Sequence, residues 1–172
     1  MNTKKSSVTL TLLLFCILFT NTVYAQSNSF AFPYAFAAED IYGKAITEKS
    51  LGEKEIFFVH YFATWCPPCV REMPDLAAIA EKYSVRVGFI GLLDDYKSNK
   101  AAAVRLADKA KIPFNVIDAN HKDFKTLLKM VQSGYVPTSV LIGRDGKMIG
   151  DQIVGAFGSG YAGLIDKALG GR

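Results

Sequence analysis

The chain has 172 residues, and its 20 lysine and arginine residues against 16 aspartate and glutamate residues give a formal net charge of +4. So small an excess, without a basic cluster, argues against nucleic acid as a partner. The length suffices for one domain with a proper hydrophobic core.

The first 25 residues have the organisation of a secretory signal peptide. Lys4 and Lys5 precede an apolar run over residues 8–19, and small residues end at Ala25. The run is shorter than the roughly 20 apolar residues of a membrane span. Cleavage after Ala25 is therefore predicted. We expect an extracytoplasmic protein, periplasmic or secreted, with retention of this segment as an N-terminal membrane anchor as the alternative.

The segment that follows leads into the first predicted strands. Residues 26–33 are predicted to be a linker and residues 34–172 one domain, which starts with a short β-hairpin over residues 38–46. The stretch IFFVHYF at 56–62 is apolar nearly throughout and rich in aromatic residues. This composition is typical of a strand buried on both faces of a parallel sheet.

The remaining pattern alternates between helices and strands. A helix is predicted from the 3.6-residue periodicity over residues 67–83. It is followed by a strand over 85–93, a helix over 98–110, a short strand over 114–117 and a helix over 124–131.

The last third predicts an antiparallel hairpin and a final helix. Strands over 138–142 and 147–154 are joined through Arg144-Asp145-Gly146, where Asp-Gly supplies the backbone freedom that a tight turn requires. Ser159 is expected to cap the final helix. Together the elements predict an α/β protein with a mixed central β-sheet flanked by helices and an N-terminal β-hairpin extension.

Cysteine usage points to chemistry rather than to a structural bridge. Cleavage of the signal removes Cys16 and leaves two of the three cysteines, Cys66 and Cys69. A disulfide across so short a loop takes little entropy from the unfolded chain and therefore adds little stability. An exported protein whose cysteines form one tight pair is better explained by a redox function.

The pair lies between a predicted buried strand and a predicted helix start. The unpaired N–H groups and the dipole at a helix N-terminus favour negative charge on the first sulfur. Cys66 is therefore predicted to be the nucleophile. Cys69, one turn into the helix, is predicted to attack the mixed disulfide and release the substrate, and the reverse reaction would oxidise a substrate dithiol.

A zinc half-site is a competing interpretation of the pair. It requires two further Cys or His ligands, and the chain has only His60 and His121 as histidines. We therefore predict no metal and no cofactor beyond a redox-active disulfide between Cys66 and Cys69.

The segment FATWCPPCVREMP at residues 62–74 resembles the active-site signature of the thioredoxin superfamily, specifically its TlpA/ResA-like extracytoplasmic branch. The similarity extends to residues 40–44 and 134–147, so it covers nearly all of the chain after the signal. It implies a thioredoxin fold and thiol:disulfide oxidoreductase activity. It also implies a cis peptide bond at Val136-Pro137, beside the cysteine pair.

The resemblance assigns roles to residues around the pair. It implies that Trp65 shields the cysteines and forms part of the docking surface. Pro67 and Pro68, between the cysteines, would tune the redox equilibrium. Val136 and Pro137 would offer backbone to an extended substrate.

Four further residues have two interpretations each. Glu72 is either a solvated helix acid or, as in ResA-like reductases, an acid that influences the pair and substrate binding. His60 lies where thioredoxins carry a buried Asp, and it either shuttles the proton of Cys69 or hydrogen-bonds within the core. Tyr135 and Phe157 belong either to the substrate surface or to the core. His121 is expected to be solvated.

The leading hypothesis for function is an exported reductase of protein disulfides that receives electrons from a membrane partner. Its substrates would be apocytochrome c cysteines or oxidised protein thiols more generally. The proline before Cys69 resembles the reducing thioredoxins, whereas strong oxidants of this fold usually carry His there. The alternatives are a dithiol oxidase or disulfide isomerase, and a module that binds copper or another soft metal on the two thiolates. No small-molecule ligand is expected.

Overall fold

The computed structural model describes residues 29–170; the predicted signal peptide, with Cys16, lies outside them. The strands are β1 (Ala37–Glu39), β2 (Ala45–Thr47), β3 (Ile56–Phe62), β4 (Val87–Leu93), β5 (Asn115–Asp118), β6 (Thr138–Ile142) and β7 (Ile153–Val154). The α-helices are α1 (Pro67–Lys82), α2 (Tyr96–Ala110), α3 (Lys125–Val131) and α4 (Tyr161–Ala168).

The central sheet has the strand order β5-β4-β3-β6-β7. β3 pairs in parallel with β4, and β4 with β5, whereas β6 runs antiparallel to both β3 and β7. β1 and β2 form a separate antiparallel pair. This arrangement confirms the predicted mixed sheet and the predicted N-terminal hairpin.

β3 lies between two hydrophobic cores. Alternate side chains of a strand point to opposite faces of the sheet. Phe58 and Phe62 pack in the core covered by α1, α2 and α4, and Phe57 and Val59 pack in the core covered by α3 and the N-terminal segment. All seven residues of β3 are buried, which explains why its sequence is apolar without alternation.

The N-terminal boundary of the domain differs from the prediction. Phe30 and Phe32 are 8% and 3% exposed, and both rings pack edge-on against Phe57, at centroid distances of 5.5 and 4.9 Å. The backbone of Phe30 also pairs with Lys54. The predicted linker over residues 26–33 is therefore wrong in its last residues, because long-range aromatic packing holds them in the domain.

Two predictions for the last third are also corrected. The strand expected over 147–154 is confined to β7, with one isolated bridge at Met148, because Gly150 adopts a φ of +74° that leaves the extended conformation. Ser159 lies inside a 3-10 turn (Gly158–Gly160) and α4 begins after it without a side-chain cap.

No helix within residues 29–170 combines the length and the apolar character that a membrane span requires.

Close packing between β3 and β4 generates a prediction for Gly88. A Cβ atom at this position would overlap the buried ring of Phe57, so we expect Gly88→Ala to lower the free energy of unfolding by about 1–3 kcal/mol. Gly163→Ala in α4 is the matched control, since a Cβ atom there would meet no atom of the described residues within 4 Å. It should raise stability by up to about 1 kcal/mol. Urea denaturation of both variants tests this, and equal effects would contradict the packing described.

Candidate active site

The cysteine pair lies at the junction between β3 and α1. The chain leaves β3 in a turn in which the Cys66 N–H donates to the Ala63 carbonyl at 3.3 Å. Cys66 has extended backbone geometry and is the N-cap of the 16-residue helix α1, with Pro67 at the first helical position. Proline is favoured there because its missing N–H would have no intrahelical partner.

Cys66 and Cys69 form a disulfide with a Cα–Cα distance of 5.3 Å. The backbone N–H of Cys69 donates to Cys66 Sγ at 3.3 Å. When the disulfide opens, this N–H and the helix dipole would stabilise a thiolate on Cys66. Both cysteines are buried, Cys66 at 2% and Cys69 at 0% exposed. Cys66 is the N-cap and Cys69 lies inside the helix, so Cys66 is the sulfur nearer to the helix tip.

The segment before β6 packs directly against Cys66. The Val136-Pro137 peptide bond is cis, and the Val136 carbonyl oxygen lies 3.5 Å from Cys66 Sγ. The Pro137 carbonyl accepts a hydrogen bond from the Gly155 N–H at 2.8 Å. A substrate segment that reaches Cys66 therefore meets the Val136 backbone as well.

Exposed aromatic side chains occupy three segments that meet near the disulfide. Trp65, beside Cys66, is 62% exposed, Tyr135, beside Val136, is 71% exposed, and Phe157, before α4, is 49% exposed. Of the two interpretations of Tyr135 and Phe157, the structure therefore supports the surface location. Large exposed aromatics beside a reactive group are typical of a protein-binding surface.

Glu72 is buried beside His60 rather than solvated. The two residues are 4% and 0% exposed, and His60 Nε2 lies 3.6 Å from Glu72 Oε1. Neither of these two atoms has a hydrogen-bond partner among the described residues. Unsatisfied buried polar atoms are costly and rare, so this contact marks a site that stability alone does not explain.

Two residues that the sequence interpretation missed complete a polar chain. His60 Nδ1 lies 2.8 Å from Ser139 Oγ, and the Ser139 hydroxyl donates to Tyr161 Oη at 3.3 Å. The Tyr161 hydroxyl in turn interacts with the carboxyl of Glu72. A Ser139 hydroxyl that donates to Tyr161 accepts from Nδ1–H of His60, and in that tautomer Nε2 is the unprotonated nitrogen.

Burial acts on the proton affinities of both ionisable groups. It lowers the pKa of His60 from 6.5 to about 3 and raises the pKa of Glu72, although hydrogen bonds from the Phe157 and Gly158 N–H groups oppose the second shift. These N–H groups lie 3.0 and 3.4 Å from Glu72 Oε2. Both directions favour the uncharged forms, as expected for groups removed from water.

His121 lies away from this site. Its ring packs near Phe124, in the core on the other face of the sheet, and its Nδ1 accepts from the Asp123 N–H at 3.4 Å. It is half-buried rather than solvated, and it caps a 3-10 turn. Within residues 29–170, no three His, Cys, Asp or Glu side chains are grouped so that they could hold a metal ion.

The lowered pKa of His60 predicts a specific pH dependence of stability. Between pH 3 and 6.5 the unfolded chain binds a proton at His60 that the folded chain does not. The stability that the neutral imidazole of His60 contributes is therefore fully present above pH 6.5, and it is lost as the pH falls through that window. The raised pKa of Glu72 acts in the opposite sense, because its proton favours the folded state.

We expect His60→Asn to flatten the acid limb of the stability profile by up to about 1.4 kcal/mol per pH unit. Urea denaturation at pH values from 4 to 7 measures it. His121→Asn is the matched control, and it should keep the slope of the unmodified protein. An unchanged slope in His60→Asn would contradict the buried neutral imidazole.

The chain is similar to proteins of known family. Residues 31–150 match the AhpC/TSA family. Thiol-disulfide oxidoreductase ResA of Bacillus thuringiensis (strain Al Hakam) is 34% identical over 122 residues, which span 70% of this chain and 66% of that protein. Sporulation thiol-disulfide oxidoreductase A of Bacillus subtilis (strain 168) is 26% identical over 134 residues, or 76% and 77% of the two chains.

A solved structure shows the same fold. It is the thiol:disulfide interchange protein, a thioredoxin family protein, from Chlorobium tepidum TLS, with a TM-score of 0.67 and 26% sequence identity. The superposition covers 80% of this chain and 94% of that one. On sequence and fold together, the chain belongs to the AhpC/TSA family, within the TlpA/ResA-like branch of the thioredoxin superfamily.

Proposed function

We propose that this protein is a thiol:disulfide oxidoreductase that reduces disulfides of other proteins outside the cytoplasm. The observation that carries the proposal is the Cys66–Cys69 disulfide at the N-terminus of α1, with the Val136 backbone 3.5 Å from the Cys66 sulfur. Two sulfurs, a helix N-terminus and an adjacent stretch of backbone are the parts that thiol-disulfide exchange with a peptide requires.

The reaction proceeds in two exchanges. In the reduced protein the Cys66 thiolate attacks one sulfur of a substrate disulfide, and the other substrate sulfur leaves as a thiolate that takes up a proton. The Cys69 thiol then loses its proton and attacks the Cys66 sulfur of the mixed disulfide. The second substrate thiol leaves, and two electrons have passed from the Cys66–Cys69 pair to the substrate.

The proton of Cys69 is assigned to the buried polar pair. Glu72 lies one turn beyond Cys69 in α1, and both are buried. A thiol shielded from water needs an acceptor inside the protein. The Glu72 carboxyl is the stronger base of the two groups, because burial raises its pKa whereas burial lowers the pKa of His60 to about 3. Proton transfer from the Cys69 thiol to the Glu72 carboxylate would move the negative charge to Cys69 and leave the net charge of the site unchanged.

Direction and location rest on sequence features. The proline before Cys69 favours a reducing pair, and within this fold potentials range from about −270 mV for thioredoxin to about −120 mV for a strong oxidant. The predicted signal peptide supports an extracytoplasmic location. Re-reduction there would require a membrane protein as electron donor, and apocytochrome c cysteines are one class of substrate.

Single-cysteine variants test the assignment of the two sulfurs. Because Cys69 is assigned the release step, Cys69→Ala should accumulate a mixed disulfide with a protein substrate such as insulin. Cys66→Ala should form none and should lose reductase activity. Non-reducing electrophoresis and mass spectrometry of the adduct measure this, with Cys16→Ala as the control that keeps full activity. Trapping through Cys69 in the Cys66→Ala variant would contradict the assignment.

The redox state in the cell tests direction and export together. A reductase should be held largely in the dithiol form, whereas an oxidase should be held as the disulfide. Alkylation of acid-quenched cells with a maleimide reagent that shifts electrophoretic mobility distinguishes the two. The fully reduced chain should show two shifts if the signal has been removed and three if Cys16 is retained. A predominantly oxidised pair would overturn the proposed direction.

A further inference from the structure

We propose that Asp95 is the positioning residue of the active-site turn, and that it holds Trp65 and Cys66 in place through Thr64. The proposal concerns a side chain in a different loop from the cysteine motif. It deepens the proposed function, because a held turn matters only if Cys66 and Trp65 meet a substrate protein.

The carboxylate of Asp95 grips Thr64 at two points. The Thr64 N–H donates to Asp95 Oδ1 at 3.0 Å, and the Thr64 hydroxyl donates to Oδ2. Asn99 Nδ2 donates to the same Oδ2 at 2.9 Å. Hydrogen bonds to an ionised acceptor are about twice as strong as neutral ones, so this is a firm two-point anchor for one residue.

The sheet register brings the two loops together. β3 and β4 are parallel neighbours, and Phe62 pairs with Leu93 at their last residues. Thr64 follows the end of β3 and Asp95 follows the end of β4, so both lie at the same edge of the sheet. A hydrogen bond from the Asp94 N–H to the Phe62 carbonyl, at 2.9 Å, closes the two strand ends.

The side chain of Asp95 binds Thr64 instead of capping its own helix. It is the N-cap of α2, where an aspartate ordinarily accepts hydrogen bonds from the first N–H groups of its own helix. Here its side chain makes no such bond. The first turn of α2 instead carries an irregular residue, Asn99 (φ −132°, ψ 23°), whose amide group reaches back to the carboxylate. The irregular first turn of α2 thus places the Asn99 amide against the carboxylate that binds Thr64.

Trp65 needs such an anchor because its side chain lies largely outside the core, whereas Ala63 and Cys66 on either side of the turn are buried. Trp65 is 62% exposed, and within the turn the Cys66 N–H bond to Ala63 is a long 3.3 Å. Thr64 immediately precedes Trp65, so fixing Thr64 fixes the direction in which the indole and the nucleophilic sulfur face a partner. Preorganised geometry of this kind accelerates reactions with large substrates, which must align many groups at once.

The sequence supplies its own reporter, because Trp65 is the single tryptophan of the chain. We expect Asp95→Ala and Thr64→Val to lower the fluorescence anisotropy of Trp65. Both should also lower kcat/KM for a protein disulfide about tenfold, the loss that corresponds to one hydrogen bond to a charged group. Reduction of a small disulfide such as that of oxidised glutathione should change far less. The effects of the two substitutions should not add in the double variant, since each removes the same contact.

Asp94→Ala is the matched control. It removes the same charge from the neighbouring residue, whose carboxylate accepts from the Tyr61 hydroxyl at 2.6 Å rather than from the turn. Anisotropy and kcat/KM should stay near the values of the unmodified protein in this variant. Thr64→Ser keeps the hydroxyl that Thr64→Val removes, so it should keep both values as well.

Two outcomes would overturn the proposal: equal anisotropy in Asp95→Ala and Asp94→Ala, or equal losses toward protein and small disulfides. The anisotropy is read without any substrate. A protein that proved inactive as a reductase would therefore contradict the proposed function while leaving the anchor to be decided on its own.

Discussion

The burial of β3 on both faces constrains the position of every group around the cysteine pair. Aromatic and aliphatic side chains of this strand enter two separate hydrophobic cores, so the strand can neither slide nor rotate without exposing one of them. Its carboxyl end is therefore held firmly, and α1 begins only a short turn later. Because Cys66 follows this strand after so short a turn, the sheet fixes the position of its sulfur more closely than a long loop would.

The topology explains why three loops meet at this edge. β3 and β4 are parallel, so their carboxyl ends lie together, and β6 runs antiparallel, so its amino end lies beside them. Pro137 immediately precedes β6, and Asp95 follows β4. Residues from distant parts of the chain thus reach Cys66 through short connections. Binding sites in α/β sheets commonly form at such strand ends.

Beneath the disulfide the protein tolerates polar groups that a stable core would exclude. His60 and Glu72 face each other without a direct hydrogen bond. Ser139 is the partner of His60 Nδ1, and the Phe157 and Gly158 N–H groups donate to Glu72 Oε2. Keeping both ionisable groups uncharged lowers the cost of burial. The carboxyl whose pKa is raised, that of Glu72, lies on the same helix as Cys69. The destabilisation expected at acid pH follows from the same burial of His60.

The amino-acid sequence alone determined the elements whose information is local. The unbroken apolar run of β3, the helical period after Cys66 and the two-residue cysteine spacing each reside in a short segment, and with the family resemblance they predicted the fold and the reactive pair. Only the tertiary structure decided that Glu72 is buried, that Ser139 and Tyr161 join His60, that Phe30 and Phe32 belong to the core, and that Asp95 turns away from its own helix to Thr64. These are contacts between residues far apart in the chain. Periodicity and propensity do not encode such contacts, because they depend on strand register and on which helix covers which face of the sheet.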